Sequence, residues 1–163
     1  MSKKKTSEQK TNVMRLLEQN GVDYRHFCYA DTGLVAGVDV AQVLGQDPER
    51  VFKTLVTEGK SGEHYVFVVP VAGELDLKKA AAAVGEKHIE MIRAKELLPL
   101  TGYVHGGCSP IGMKKFFTTV FHETAAEKDT IFFSAGKVGY QVEVAPADIT
   151  KIIDFKTADI CTI

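Results

Sequence analysis

Two apolar, strand-like segments with a short glycine-containing link stand out near the middle of the chain. They are VFKTLVT at residues 51–57 and YVFVVPV at residues 65–71, with GKSG at residues 59–62 between them. Valine, phenylalanine, tyrosine and threonine are enriched in strands, and glycine in a short link lets the chain turn back. The pattern predicts a β-hairpin at the centre of the fold.

Helical and strand patterns alternate irregularly on both sides of this hairpin. Asp76 precedes a lysine- and alanine-rich stretch that stops at Gly85, which predicts a capped helix. Other helical segments are predicted to end at Gly21, to cover 38–44, to start at Asp47-Pro48-Glu49, and to cover 94–98 and 147–153. Other strands are predicted at 24–29, 89–92, from Tyr103, and at 117–121, 130–134 and 139–144. This mixture predicts an α/β fold with helices flanking a mixed sheet.

Length and composition are typical of a globular protein. The chain has 163 residues, 45% hydrophobic and 25% charged, and residues 1–163 are predicted to form a single domain with a flexible basic tail at 1–10. The formal net charge of −1 excludes a strong overall attraction to nucleic acid or an anionic membrane. No apolar run approaches the roughly 18 residues of a transmembrane helix. The polar start indicates no secretory signal, so a cytoplasmic protein is expected.

Lys53 is the residue of the predicted hairpin with the clearest chemical potential. In a strand it shares a face with Val51 and Leu55, so its ammonium group lies either at an exposed sheet edge or in a cleft. A lysine at an edge would discourage aggregation. A partly desolvated lysine in a cleft would attract a phosphate or a developing oxyanion. The strand pattern alone leaves both interpretations open.

Two glycine-containing loops follow predicted strands and are candidates for contact with a ligand. The first, GGCSPIG at residues 106–112, could present backbone N–H groups to an anion or an ester carbonyl. It lacks the ending of a nucleotide P-loop, and it could also be a tight turn closed by Ser109-Pro110. The second, SAGKVG at residues 134–139, is similar in composition or is a hairpin loop. Together with Lys53, the two loops could line one pocket.

Thiol and metal chemistry are weaker alternatives. His105 and Cys108 lie three positions apart and could form a nucleophilic pair, but no third residue that would orient the histidine is evident. The wide, irregular spacing of Cys28, Cys108 and Cys161 does not indicate a disulfide framework. The five histidines are scattered and no CxxC or HExxH motif occurs, so neither a metal nor another cofactor is expected.

Four segments, taken together, resemble one protein family. They are VFKTL at 51–55, VPVAGELDLKK at 69–79, TGYVHGGCSPIG at 101–112 and SAGK at 134–137. Over residues 13–160 the chain is similar to the YbaK/EbsC family of aminoacyl-tRNA deacylases, relatives of the editing domain inserted in bacterial prolyl-tRNA synthetase. Four separate motifs in the same order make the resemblance specific at the level of the family.

The resemblance implies a mixed, barrel-like β-sheet flanked by helices, and a trans-editing activity that hydrolyses cysteinyl-tRNA(Pro). Lys53, Gly106 and Ser134 would be the catalytic residues: the lysine would hold the terminal phosphate or ribose, the glycine loop would orient the ester carbonyl, and the serine would add a hydrogen bond. The substrate's own ribose hydroxyl or cysteine thiol would assist the attack. The residues that correspond to substrate-binding positions are Tyr29, Thr54, Gly107, Ser109, Pro110 and Gly136.

The resemblance leaves the choice of amino acid open. Close relatives of the cysteine-specific enzyme often have arginine where this chain has Val138, and aspartate where it has Gln141. Deacylation of alanyl-tRNA(Pro) or another small aminoacyl-tRNA is one alternative, and a non-catalytic module that binds a synthetase or a nucleotide is another. Because the net charge of −1 predicts weak tRNA binding, prolyl-tRNA synthetase is expected as the partner that supplies tRNA identity.

Overall fold

The computed structural model describes residues 10–162, so the predicted basic tail at 1–10 lies outside the described residues except for Lys10. The α-helices are α1 (Asn12–Gln19), α2 (Gly37–Leu44), α3 (Leu77–Val84), α4 (Ala94–Thr101) and α5 (Pro146–Ile149). Single 3₁₀ segments lie at Ala30–Thr32 and Glu123–Glu127. The strands are β1 (Arg25–Cys28), β2 (Phe52–Gly59), β3 (His64–Pro70), β4 (Glu74–Leu75), β5 (Ile89–Met91), β6 (Thr118–His122), β7 (Ile131–Ser134), β8 (Tyr140–Val144), β9 (Lys156–Ala158) and β10 (Cys161–Thr162).

The predicted hairpin lies inside a five-stranded sheet. Strand β2 pairs antiparallel with β3 over residues 52–58, and Lys53 lies opposite Val69. The strand order is β5-β2-β3-β6-β9, and β6 runs parallel to both β3 and β9. A second, antiparallel sheet has the order β1-β8-β7, and a parallel bridge between Val51 and Phe132 joins it to the first. The mixed α/β fold class is therefore confirmed.

Strand β3 explains why the hairpin sequence is apolar throughout. Successive residues of a strand point to opposite faces of the sheet. Val66 and Val68 therefore contribute to the main core, which also contains Phe121 and Phe133, while Phe67 belongs to a second apolar cluster that includes residues of α3. A strand that is buried on both faces contains few polar residues, unlike one that faces water on one side.

Helix α3 begins and ends at the capping residues that the sequence predicts. The Asp76 carboxylate accepts hydrogen bonds from the N–H groups of Lys78 and Lys79 at the start of α3. Gly85 ends the same helix with a φ of +74°, a conformation that glycine adopts without steric cost. None of the helices within residues 10–162 combines the length and the apolar character that crossing a bilayer requires.

Several short segments differ from the predicted elements. The strand predicted from Tyr103 is wrong, because residues 103–117 contain neither helix nor strand. Tyr103 is buried instead, and its hydroxyl donates to the Ile111 carbonyl within this loop. Asp47-Pro48-Glu49 leads only into a turn, and α5 ends at Ile149 rather than at residue 153. Strands β4, β9 and β10 were not predicted, because two or three residues are too few to show strand periodicity.

Candidate active site

A cleft of about 730 Å³ opens where strand β2 begins. Its walls come from the start of β2, residues 35–40 at the beginning of α2, the loop 105–108, and the facing ends of β7 and β8. The parallel bridge between Val51 and Phe132 brings the start of β2 next to β7. Lys53 and Ser134 each lie two residues beyond the bridge, and both line the cleft. Of the residues to which the family resemblance assigns a role, Tyr29, Lys53, Thr54, Gly106 and Ser134 line the cleft.

Lys53 is partly buried and its ammonium group is unpaired. Lys53 lies opposite Val69 of β3 on one side of the strand and lines the cleft, while β5 covers the other side of β2 only at residues 57–59. Val51 and Leu55, which share its face of the strand, line the same cleft. Within residues 10–162, no hydrogen bond or ion pair is made by the Lys53 ammonium. A partly desolvated cation without a partner is available to an anionic or polar ligand.

Thr54, the next residue, contributes an unsatisfied hydroxyl. Its Oγ1 atom is buried and has no hydrogen-bond partner among the described residues. A hydroxyl removed from water without a partner costs free energy, and such groups are rare in folded proteins. Because Thr54 lines the cleft, a ligand bound there is the natural partner for this hydroxyl.

Gly106 brings its backbone to the cleft at a position that only glycine fits. Its φ is +86°, and an added Cβ would lie 2.6 Å from Cγ1 of Val35. In the described part of the chain, the Gly106 N–H makes no backbone hydrogen bond, whereas the Gly107 N–H donates to the Val104 carbonyl at 2.9 Å. The Gly106 N–H is therefore free to bind a ligand oxygen.

Ser134 and Tyr29 add hydroxyl groups to the opposite side of the cleft. The Ser134 Oγ accepts a hydrogen bond from the Gly136 N–H at 3.1 Å, so its own hydrogen stays available for donation. Tyr29 is 7% exposed, and burial raises the pKa of its phenol above the usual value. At neutral pH its hydroxyl is therefore protonated and can donate.

Two glycines assigned to substrate binding by the family resemblance do not line the cleft. An added Cβ at Gly107 would lie 2.9 Å from the backbone nitrogen of Val138. One at Gly136 would lie 3.0 Å from Cε1 of Tyr103. Gly107 therefore allows the two glycine-containing loops to pack closely against each other, and Gly136 allows its loop to pack closely against Tyr103.

Ser109 and Pro110 also lie away from the cleft. Ser109 is fully buried, and its Oγ accepts a long hydrogen bond of 3.4 Å from the Ile111 N–H. Pro110 lines a separate pocket of about 330 Å³ together with Met113 and Phe117. The structure thus brings the two residues to a buried turn of the loop rather than to the groups around Lys53.

Parts of the cleft were not predicted from the sequence. The segment 35–40 forms one wall, and its apolar residues gave no indication of this position. Glu74 lines the cleft from strand β4, which was itself not predicted. Gln141 is 3% exposed and exchanges two amide hydrogen bonds with Gln46, of 2.7 and 3.0 Å. Only Gln141 had been singled out, as a departure from the family pattern.

Thiol chemistry is not supported by this geometry. Burial raises the pKa of Cys108 to about 12, so its side chain is a thiol rather than a nucleophilic thiolate at neutral pH. His105 is exposed at the rim of the cleft, and no hydrogen bond joins it to Cys108. Across residues 10–162 there is no group of three or more His, Cys, Asp or Glu residues that could hold a metal ion.

Two solved structures share the fold of this chain. The crystal structure of a candidate trans-editing enzyme for prolyl-tRNA synthetase superposes with a TM-score of 0.79 at 24% identity, covering 93% of this chain and 95% of that one. The crystal structure of a hypothetical protein superposes with a TM-score of 0.84 at 21% identity, covering 92% and 99% of the two chains. At these identities the likeness shows the fold alone.

Sequence comparisons identify the family. The profile of the aminoacyl-tRNA editing domain matches residues 35–152. The chain is 47% identical over 163 residues, 99% of each chain, to EbsC of Enterococcus faecalis, whose name describes a candidate Cys-tRNA(Pro)/Cys-tRNA(Cys) deacylase. It is also 34% identical over 77 residues to the proline–tRNA ligase of Pelobacter propionicus, a match that covers 47% of this chain and 13% of the ligase. The chain belongs to the aminoacyl-tRNA editing domain family.

As a member of this family the protein is an aminoacyl-tRNA deacylase, an enzyme that hydrolyses the ester between an amino acid and its tRNA. The resemblance noted in four sequence segments is thereby confirmed.

Proposed function

We propose that the protein removes cysteine from mischarged tRNA(Pro), acting in trans on aminoacyl-tRNA after its release from the synthetase. The observation that carries this proposal is the set of unpaired polar groups in one cleft: the Lys53 ammonium, the Thr54 hydroxyl and the Gly106 N–H. The name of EbsC, which is 47% identical to this chain, supports cysteine as the amino acid.

The proposed reaction asks the protein mainly for positioning, because an aminoacyl ester is already activated. Lys53 binds the terminal phosphate or ribose of the tRNA. The Gly106 N–H orients the ester carbonyl and stabilises the negative charge that develops on its oxygen. Ser134 donates its free hydroxyl hydrogen to the same part of the substrate. Since Cys108 is a thiol, the attack is left to a water molecule that the ribose hydroxyl or the substrate thiol orders, or to the substrate's cysteine thiol, which would form a thiolactone and pass its proton to the departing ribose oxygen.

Selection of cysteine would come from chemistry more than from size. A pocket that distinguishes two amino acids by one methylene group gains only about 1–3 kcal/mol. Participation of the substrate thiol would instead favour cysteine over alanine, which has no such group. Gln141 has its amide bonded to Gln46, so it presents a neutral wall to the amino-acid side chain.

We further propose that prolyl-tRNA synthetase supplies tRNA identity. The net charge of −1 predicts weak binding of free tRNA, because few phosphates can be neutralised. The isolated protein is expected to bind tRNA(Pro) and other tRNAs weakly and about equally in a filter-binding titration. Strong, selective binding of free tRNA(Pro) would overturn the need for this partner.

The central experiment compares Lys53→Met with Lys60→Met on cysteinyl-, alanyl- and prolyl-tRNA(Pro). Methionine keeps the apolar stem and removes the charge, and Lys60 lies exposed at the hairpin turn, at the other end of strand β2. Lys53→Met is expected to lower kcat/KM for cysteinyl-tRNA(Pro) by roughly 100-fold or more, as loss of a transition-state contact does. Lys60→Met is expected to match the wild type, and both variants are expected to keep the wild-type Tm.

Three results would contradict parts of this proposal. Full activity of Lys53→Met would remove the lysine from the site. Faster discharge of alanyl- than cysteinyl-tRNA(Pro) by the wild type would identify the alternative substrate. Binding of charged tRNA or of the synthetase without any ester turnover would identify a non-catalytic module.

A further inference from the structure

Among the cleft-lining residues of the described chain, Glu74 is the single acidic side chain. It follows a turn after β3 in which the Gly73 N–H donates to the Pro70 carbonyl at 3.0 Å. Pro70 lies opposite Phe52 in the hairpin. The turn therefore returns the chain to the start of β2 and brings Glu74 to the part of the cleft that Lys53 lines.

The backbone around Glu74 is held firmly although its side chain is exposed. In the short β4–β10 ladder, Glu74 lies opposite Thr162. Beside it, the Asp76 N–H donates to the Ile160 carbonyl at 2.8 Å. Strand pairing thus fixes the position of the Glu74 backbone, while the carboxylate oxygens stay accessible to solvent and to a ligand in the cleft.

The Glu74 carboxylate has no partner in the described part of the chain. No hydrogen bond or ion pair reaches it there, whereas the nearby Asp76 is used to cap α3. Lys53 and Glu74 line the same cleft. The lysine and the glutamate nevertheless form no ion pair of 4.0 Å or less. Within the described residues, the cleft therefore presents a cation and an anion that are not paired with each other.

An aminoacyl ester matches this pair of charges. Its α-amino group is cationic near neutral pH and is attached to the carbon next to the ester carbonyl, while the adjoining nucleotide carries negative phosphate. We infer that Glu74 binds the α-ammonium group of the aminoacyl ester while Lys53 binds its nucleotide side. This inference rests on the proposed function and adds selectivity to it: esters whose amine is absent or blocked, as in peptidyl-tRNA, lose this contact.

The test uses two esters of tRNA(Pro) that differ at one group. Cysteinyl-tRNA(Pro) carries the ammonium, and 2-hydroxy-3-mercaptopropionyl-tRNA(Pro) carries a hydroxyl in its place and keeps the thiol. The wild type is expected to favour the amino ester in kcat/KM by about tenfold, the effect of one charge-assisted contact. The Glu74→Gln variant is expected to hydrolyse the two esters with nearly equal kcat/KM, because only its kcat/KM for the amino ester falls.

Two further variants sharpen the comparison. Glu74→Asp keeps the charge and is expected to keep part of the preference. Glu63→Gln removes an exposed carboxylate at the hairpin turn and is expected to keep the full wild-type preference for the amino ester. Because each ratio is measured within one protein, the fraction of folded enzyme cancels.

A Glu74→Gln enzyme that keeps the wild-type preference, or that loses activity equally on both esters, would overturn the inference and leave the proposed function intact. A wild-type enzyme that hydrolyses both esters equally well would also overturn the inference and leave the proposed function intact. A wild type that discharges neither ester would overturn the proposed function together with this inference.

Discussion

Polar groups lie near both ends of the β2–β3 hairpin, and the two sets of groups differ in how the fold pairs them. At the turn end, the Glu86 carboxylate accepts hydrogen bonds from the backbone N–H and the hydroxyl of Ser61, and from the Tyr65 hydroxyl at 2.6 Å. At the cleft end, within residues 10–162, neither the Lys53 ammonium nor the Thr54 hydroxyl has a partner. Both ends belong to the same hairpin and are held by the same ladder.

This difference separates groups that stabilise the fold from groups kept for a ligand. A buried polar group without a partner lowers stability, so its presence is explained by what it binds when the cleft is occupied. Removing an unpaired side-chain group at the cleft end should therefore change catalysis with little loss of stability, and removing a paired side-chain group at the turn end should do the reverse. Matched residues at the two ends allow this contrast to be tested.

The largest contrast is expected between Gly106→Ala and Gly62→Ala. Both glycines have positive φ values, +86° and +94°, so alanine should destabilise the protein by about 1–2 kcal/mol at either position. Only at Gly106 does the added Cβ meet a neighbour, Cγ1 of Val35, while Gly62 has nothing within 4 Å. Since a small displacement of a positioning group can cost about 100-fold in rate, Gly106→Ala should lose roughly that factor in kcat/KM.

Deacylation kinetics and urea denaturation of both variants check this prediction. Gly62→Ala should keep wild-type kcat/KM. Equal activity of the two variants would mean that the Gly106 backbone is not part of the site.

A smaller contrast is expected between Thr54→Val and Thr57→Val on the same strand. The Thr54 Oγ1 has no partner, so valine should leave stability unchanged or raise it by up to about 1 kcal/mol, while kcat/KM falls about tenfold. The buried Thr57 hydroxyl donates to the Tyr65 carbonyl at 3.0 Å, so valine there should lower stability by about 1 kcal/mol and keep activity.

Urea denaturation measures the free energy of unfolding of both variants, and deacylation kinetics measure their kcat/KM. A loss of stability in Thr54→Val comparable to that in Thr57→Val would show that the Thr54 hydroxyl contributes to the fold rather than to a ligand.

Local sequence signals were sufficient for the parts of the fold that are long or capped. The hairpin over 51–71 and the helix between Asp76 and Gly85 have the predicted type, because strand composition, helix capping and glycine turns act within a few residues. The strand expected from Tyr103 failed because tertiary packing buries that side chain inside a loop, where its hydroxyl is bonded to Ile111.

The cleft could be predicted from the sequence only in part. Lys53 was noticed because a lysine is unusual in an apolar strand, and the family resemblance pointed to Gly106 and Ser134. Neither Glu74 nor the wall at 35–40 carries such a local signal, since both reach the cleft through long-range contacts. In particular, the bridge between Val51 and Phe132, which joins the two sheets, is a tertiary pairing that no local period encodes.

The smallest expected effect is the pH dependence of stability at the turn end. Hydrogen bonds from Ser61 and Tyr65 lower the pKa of Glu86 below its ordinary value of 4.5. The folded state therefore favours the ionised carboxylate, and the stability this contributes is complete above pH 4.5 and is lost as the pH falls through the lower pKa of the folded protein. Glu86→Gln removes this titration, so its Tm should fall less steeply than that of the wild type between pH 5 and pH 3 by about 1 °C or more.

Thermal denaturation across this pH range measures the difference, with Glu63→Gln as a control that removes an exposed carboxylate from the same turn. Because Glu86 is remote from the cleft, its variant should keep wild-type deacylation at neutral pH. Parallel Tm curves for wild type and Glu86→Gln would mean that the hydrogen bonds at the turn end contribute no stability. The fold would then explain the polar groups at the turn end no better than it explains the polar groups around Lys53.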